Sequence, residues 1–542
     1  MSSLLDAVQA RLPEPLSSLS PIAFYTTALV LVTLAVGLSS RREKIKLPGP
    51  RPWPIVGNLL QVGEDAALTY HEWSKIYGPV FKVTLGEREV VVVNSAAAAK
   101  ELFNDLGSVY ISRPLFHTFH KVVSSTAGFT IGTSPWDESC KRKRKAAATA
   151  LNRVAVQGYV PIIDMETLCL IEDIYKDSDQ GRTAINPYAY LQRFALNTSL
   201  VVNYGTRLEK VGDKLLQEIV EVETYVANFR SVSGTPSDYV PLLRYLPSFG
   251  GGGGGGATAR FAQEVRKRRD VYMDRLLDDC KRHVRAGTDI PSITGNILKD
   301  PEAKLSDAEL SSICLSMVSA GLDTLANTFI WSVGYLAQHP DIQDKAYQAM
   351  YDVYGGAIPD STEEKVEYIT ALHKECSRFF SVLKLSLPRA TLGDSEYRGV
   401  AIPDGTTVFL NAWAIHHDAE RYGADYAVFR PERFLDPREA NLQSHYSFGA
   451  GRRMCAGVHL ANRELYIAFC KLIHFFRILP SDRDDERAFD IDPATACANP
   501  RGLSSTPKPF KVRFVPRDEA GIRAWIDDEK TKTEVKLARK VE

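Results

Sequence analysis

The sequence predicts a mainly α protein with small β-sheets, built as one large body behind an apolar N-terminal segment. Three observations carry this. Most of the chain shows helical periodicity. Only two stretches read as strand pairs: VFKVTLGEREVVVV (Val80 to Val93), around a Gly-Glu turn, and Tyr397 to Leu410, around Pro403-Asp404-Gly405. A run from Pro15 to Ser40 carries no charged side chain. The 542 residues are 44% hydrophobic, and 66 basic side chains balance 66 acidic ones. That composition excludes a disordered chain and gives no bulk positive charge for a nucleic-acid partner. Length alone allows several domains or one large one.

Residues 1–20 form a short polar-flanked N-terminal segment, and residues 21–40 a membrane span. Its most apolar part, PIAFYTTALVLVTLAVGL (Pro21 to Leu38), is about 27 Å long as a helix, close to the roughly 30 Å hydrocarbon core. Arg41, Arg42, Lys44 and Lys46 follow it, against a lone Glu43. The positive-inside rule then puts residues 1–20 in the lumen and the C-terminal bulk in the cytosol. A cleaved signal peptide is the alternative, disfavoured by a long, non-basic start and no clear small-x-small site. Residues 41–58 form a basic and proline-rich hinge. Its prolines at 48, 50, 52 and 54 forbid helix and suggest a stiff spacer between membrane and body. Eight cysteines without a CxxC pair suit a reducing compartment. The sequon at Asn197 would then stay unmodified. Seven glycines, Gly250 to Gly256, read as a loop no packed helix can include, more simply a neutral insertion than a lid. Residues 516–542 read as a charged tail with a single Trp525.

The chemistry lies in the C-terminal third. FGAGRRMCAG (Phe448 to Gly457) is a glycine-rich loop that lets the backbone approach something flat and projects Cys455. A helical pattern begins just past it, so N–H groups and the helix dipole point at the sulfur and favour a thiolate. A thiolate over a planar surface is the arrangement of the axial ligand of a haem iron, and Arg453 is placed to pair with a propionate. Residues 305–338 hold the longest helical pattern, about 50 Å long, opened by a Ser306/Glu309 capping box and ended by His339-Pro340. Within it, AGLDT (Ala320 to Thr324) places Gly321 where a flat cofactor needs room. Asp323 and Thr324 stand where they can relay protons to dioxygen, the threonine opening the helix by bonding a carbonyl. In an ordinary core helix such a threonine would simply be back-bonded. Glu375 and Arg378 share a helical face, and Arg433 in FRPERF offers a third member of a buried lock.

These stretches resemble the cytochrome P-450 monooxygenases. The haem-loop pattern F-G-x-G-x-R-x-C-x-G is matched at Phe448, Gly449, Gly451, Arg453, Cys455 and Gly457. The oxygen-activation pattern A-G-x-[DE]-T is matched at all five positions, and the E-x-x-R and P-E-R-F patterns are present. The resemblance implies the P-450 fold, a single haem domain over residues 59–515. It implies haem b with Cys455 on the metal, O2 as co-substrate, and electrons from NADPH through a partner reductase. Arg389 matches a further propionate-pairing position. One departure is the family's W-x-x-x-R helix: Cys140 stands where the tryptophan belongs, and Arg144 fills the arginine position. The basic run 141–145 would dock an acidic reductase, the alternative being a solvated charged face. The expected setting is the endoplasmic reticulum membrane, single-pass, in contact with membrane lipid.

The pocket is expected from Phe116, Phe119, Phe129, Val382 and Leu383, with His117, His120 and Lys384 as candidate partners for a phenol or carboxylate. Three stretches, Thr130 to Asn152, Leu410 to Asp418 and Gly449 to Leu465, resemble the fungal phenylacetate hydroxylase group. That implies ring hydroxylation of a small aromatic substrate. A secondary-metabolite tailoring enzyme acting on a larger aromatic is the alternative. A haem isomerase or a non-catalytic haem binder fits less well, because neither needs the Asp323-Thr324 pair.

Overall fold

The computed structural model describes residues 45–532 except 127, 233–234, 245–254, 301, 303 and 439–441, together with positions 23, 26, 27 and 30 and the pair 539–540. The segment 1–20, most of the span 21–40 and the first five glycines of the Gly250–Gly256 tract lie outside the described residues. The last two glycines open a helix, Gly255–Ala286, rather than ending the loop.

Two long strands, β1 (Val80–Leu85) and β2 (Arg88–Val93), form the expected hairpin, with Leu85 facing Arg88 across the turn. Helices α1 (Glu138–Ala150), α2 (Arg153–Asp177), α3 (Tyr188–Tyr204) and α4 (Lys214–Asn228) follow. Then come α5 (Gly255–Ala286), α6 (Asp307–Gln338) and α7 (Glu367–Phe380). The short strands β3 (Arg389–Ala390), β4 (Ser395–Tyr397), β5 (Val400–Ile402) and β6 (Thr407–Leu410) lead to α8 (Val458–Phe475). The expectation of one hairpin over Tyr397 to Leu410 is corrected. β5 pairs antiparallel with β4 across Arg398-Gly399, while β6 crosses to lie parallel beside β2. Gly399, at φ +82°, takes the turn that Pro403-Asp404-Gly405 was expected to take.

Helix α6 runs through the centre of the molecule. Ser306 caps it, accepting from the Glu309 N–H while the Glu309 carboxylate accepts from the Ser306 N–H. Twenty-two of its 32 residues are buried, because Leu, Ile, Val and Phe surround it on every face rather than one. Helices α2 and α6 are long and apolar enough to cross a membrane, but most of each apolar window is buried inside the body, as in core helices.

Both chain ends of the body are tied in more firmly than expected. The proline-rich stretch is no free spacer. Ile45 and Leu47 are buried, the Lys82 N–H donates to the Pro48 carbonyl, and Asn58 bonds both backbone groups of Thr84 on β1. Of the charged tail, the described residues 516–532 pack onto the body. The helix Glu519–Lys532 inserts Ile522, Trp525 and Ile526 into the main core, where Trp525 packs on Phe475 at 4.4 Å.

The expected lock forms. Arg378 grips Glu375 with two bonds of 2.7 Å, and the Arg433 Nε–H adds a third at 3.2 Å. All three are buried. The spare donors bond the carbonyls of His416 and Tyr426 from Arg378, and of Tyr422 and Asp425 from Arg433. Two further bonds extend the frame toward the cysteine loop. Ser447 donates to the Ser377 carbonyl at 2.6 Å, and the Tyr446 N–H donates to His416 at 2.7 Å. Removing one member leaves the other charges buried and unpaired. Glu375→Gln should therefore lose ~3–5 kcal/mol of stability, read as a fall in the urea midpoint.

Candidate active site

The cysteine loop closes on itself. The Cys455 N–H donates to the Phe448 carbonyl at 3.0 Å, and the Gly449 N–H to the Tyr446 carbonyl at 2.8 Å. Gly449 and Gly451 hold φ of +75° and +56°, a conformation costly to any other residue. Gly451 has a second constraint: a Cβ there would fall 1.7 Å from the Phe103 carbonyl oxygen. The loop is thus wedged against its own scaffold, and only part of its glycine content serves an open face. Phe448 is half-buried and packs on His445 at 5.4 Å.

Gly457 stands at the N-cap of α8, and its N–H is close enough to favour the thiolate of Cys455. Burial pushes the thiol up, while that N–H and the Arg144 charge pull it down. Of the eight cysteines, Cys455 alone presents its side chain to open space, though the body encloses that space on most sides.

Four guanidiniums surround this loop. Arg453 donates to the carbonyls of Ile111, Ile131 and Ser134 at 2.9–3.2 Å. Arg389 donates to Tyr110 and Ala450, and Arg144 to Arg452 and Met454 within the cysteine loop itself. Arg113, which the sequence reading missed, donates to Leu387 and Pro388. Among the described residues none of the four pairs with a carboxylate. Burial first, and then one another's charge, pull Arg113 and Arg389 down, Arg389 to about 9. The Nε–H groups of Arg113 and Arg453 are buried without a partner. Unpaired cations this close are costly unless an anion joins them. The donor set fits a haem: a thiol at one point and a ring of arginines suited to two carboxylates.

One expectation about this side is corrected. The basic run is not one surface. Lys143 is buried, its Nζ donating to Phe129, Ser134 and Ser312, and Arg142 pairs with Glu309 at 2.7 Å. Only Lys141 and Lys145 remain exposed lysines. The buried Cys140 holds the tryptophan register, but Trp136 reaches the site from ahead of the helix, its ring 5.7 Å from the Arg453 guanidinium.

On α6, Thr324 donates to the Ala320 carbonyl at 2.7 Å, and the helix is unbroken through Ala320–Thr324. The expected opening of the helix is absent. Gly321 does not leave its room for a flat group either: the missing Cβ points at Ser199 on α3, 2.0 Å from its Oγ. It is a helix-packing glycine. Asp323 makes no hydrogen bond or ion pair among the described residues. Burial, and then the Glu223 charge, push its carboxyl up to about 7, with Arg230 opposing.

Phe116, Phe119 and Phe129 come together around the His120 ring at 6.3, 5.0 and 5.1 Å. Phe116, Phe119 and His120 line a recess shared with Arg113 and Arg230; Val382 and Lys384 line a second one that Arg230 also reaches. Phe129 and Leu383 line neither. The basic groups expected to meet a substrate are engaged elsewhere. His120 is held by the backbone of Phe116 and Thr133, and Lys384 pairs with Asp65 at 2.7 Å. His117 is half-buried and lines neither recess.

The family model for cytochrome P450 matches residues 47–514. The chain belongs to the cytochrome P450 family. It is 48% identical over 528 residues to a phenylacetate 2-hydroxylase of Emericella nidulans, covering 95% of this chain and 99% of that protein. It is 42% identical over 524 residues to a 3-hydroxyphenylacetate 6-hydroxylase of the same organism, covering 96% and 98%. A cytochrome P450 monooxygenase of Mycosarcoma maydis is 49% identical over 511 residues, covering 92% of each. As a P450 monooxygenase the chain uses haem and O2, with electrons from a redox partner.

Gly451→Ala should cost roughly 2–5 kcal/mol, through φ strain plus overpacking. Gly399→Ala, at φ +82° with nothing near its Cβ position, should cost only about 1–2 kcal/mol. Thermal midpoints of the two variants check the difference. Asp323 makes a pH prediction. Raised from 3.8 to about 7, it keeps its proton in the folded state where the unfolded chain has lost it, so stability falls as pH rises across that window. Asp323→Asn should gain on the parent by at most ~1.4 kcal/mol per pH unit there, seen by comparing urea midpoints near both ends of the window.

Proposed function

We propose that this P450 is a membrane-anchored monooxygenase that hydroxylates the ring of a small aryl acid or phenol. The observation that carries this reading is the near full-length similarity to two hydroxylases named for phenylacetates. The aromatic recess beside the arginine cluster agrees with it. When bound, haem b supplies activation of O2 and insertion of one oxygen atom. Cys455 would hold the iron, whose charge would keep the sulfur anionic, with the Gly457 N–H and Arg144 favouring the same state. Arg453, Arg389 and Arg144, joined by Arg113, would hold the propionates. Phe448, Gly449, Gly451 and Gly457 shape the loop that presents the sulfur.

Asp323 and Thr324 handle protons. A carboxyl poised near neutral pH can both take a proton and give one up, which a fully ionised aspartate does poorly. Thr324 reaches the same space once its hydroxyl leaves the Ala320 carbonyl. Phe116 and Phe119 orient the ring and exclude water. Electrons come from an NADPH-dependent reductase docking near residues 141–145, where Lys141 and Lys145 stay exposed. Residues 21–40 anchor the protein in the endoplasmic reticulum with residues 1–20 lumenal and the body cytosolic.

The test is turnover of phenylacetate by the full-length haem-loaded protein with a reductase and NADPH. A ring-hydroxylated product carrying labelled oxygen from O2 is expected. Cys455→Ser should lose both that product and the red-shifted Soret band of the reduced carbon monoxide complex. Turnover of a larger aromatic but of no aryl acid or phenol overturns the substrate reading.

A further inference from the structure

We propose that Arg230 anchors the carboxylate of the substrate and so selects aryl acids over neutral aromatics. This rests on the aryl-acid reading above.

Arg230 sits just past the C-terminus of α4, where its N–H donates to the Ala227 carbonyl at 2.9 Å. That contact fixes the main chain and leaves the side chain free to cross toward the site. The guanidinium lies over the Phe119 ring, 5.6 Å from its centroid. Beyond that, among the described residues it makes no hydrogen bond and no ion pair. Its Nε–H is buried and unpartnered. A half-buried guanidinium with a buried donor unspent is costly to hold, and a ligand anion would offset that cost.

Two carboxyl groups lie near this cation, and neither forms an ion pair with it. Glu223 is buried nearby, but Tyr272 bonds one of its oxygens at 2.5 Å and Ser319 the other. Asp323 faces the same space beyond ion-pair distance. Of the other basic groups at these recesses, Lys384 is paired with Asp65, His120 is held by the backbone, and Arg113 spends its terminal donors on the carbonyls of Leu387 and Pro388. Arg230 is the basic side chain that lines both recesses and has donors to give.

The chemistry then follows from shape and charge. A planar guanidinium offers two parallel N–H donors, which match a carboxylate. Phe116 and Phe119 beside it match an aromatic ring one short linker away. A neutral amide or alcohol gains the same ring contacts but only a weak bond to the guanidinium. Discrimination therefore lies in binding, not in the chemical step.

The experiment compares phenylacetate with phenylacetamide, its neutral isostere, on the purified haem-loaded protein. Dissociation constants are read from the perturbation of the haem absorption band and by calorimetry. Arg230→Gln should weaken phenylacetate by about 30–100-fold and leave phenylacetamide within about threefold. It should retain the red-shifted carbon monoxide band, which shows an intact site. Arg230→Lys keeps the charge but loses the paired donors, and should weaken the acid by only about 5–10-fold. Should the glutamine variant not retain the band, the lysine variant carries the test: equal affinity of parent and variant for the acid overturns the anchor. So does an equal loss for both ligands in either variant. If the parent turns over phenylacetate and Arg230→Gln binds it unchanged, the anchor alone fails. If the parent binds no aryl acid but does bind a larger neutral aromatic, the aryl-acid reading fails and takes the anchor with it.

Discussion

The constraint on which the rest of this structure depends is positive charge gathered without its counterpart. Arg113, Arg144, Arg389 and Arg453 converge on one loop, bonded only to backbone carbonyls, with no carboxylate among them. Elsewhere the chain pairs such groups with care: Glu375 satisfies two arginines, and Glu166 bonds Arg207 while buried. Among the described residues no acid pairs with any of these four arginines, an arrangement that suits a dianionic ligand. The carbonyls that hold the four arginines come from well-separated parts of the sequence. The repulsion is therefore resisted by the whole body rather than by one loop.

The lock and the cluster do different work. The buried Glu375–Arg378–Arg433 set is internally neutralised up to one charge and fixes the chain leading to Cys455 through Tyr446 and Ser447. The cluster is left open to a ligand. One is closed by its own ion pairs, and the other keeps unspent donors.

Much of this was legible in the sequence, and the reason is local. A helix start, a glycine at positive φ, a cysteine before a helix and a paired Glu and Arg one turn apart each declare themselves within a few residues. Ser306, Gly449, Cys455 and Glu375 were read in that way. What the sequence concealed depends on contacts between distant segments. Arg113 is one arginine in a loop until Arg389 and Arg453 arrive beside it. Lys143 looks like its neighbours Lys141 and Lys145 until the helix phase turns it toward Ser312. Gly321 sits in a haem-site pattern, yet its open side serves Ser199. Arg230 carries no motif at all, and only the loss of partners around it gives it meaning.

The final helix has a practical corollary. The family match stops at residue 514, and the chain beyond it looks dispensable on paper. Yet Trp525 is wedged against Phe475, at the end of the same helix that begins beside the cysteine loop. Trimming the protein to its family boundary would pull Ile522, Trp525 and Ile526 out of the interior and leave an apolar socket facing water. A shortened version made for expression should keep everything through the end of that helix, with any purification handle placed after it.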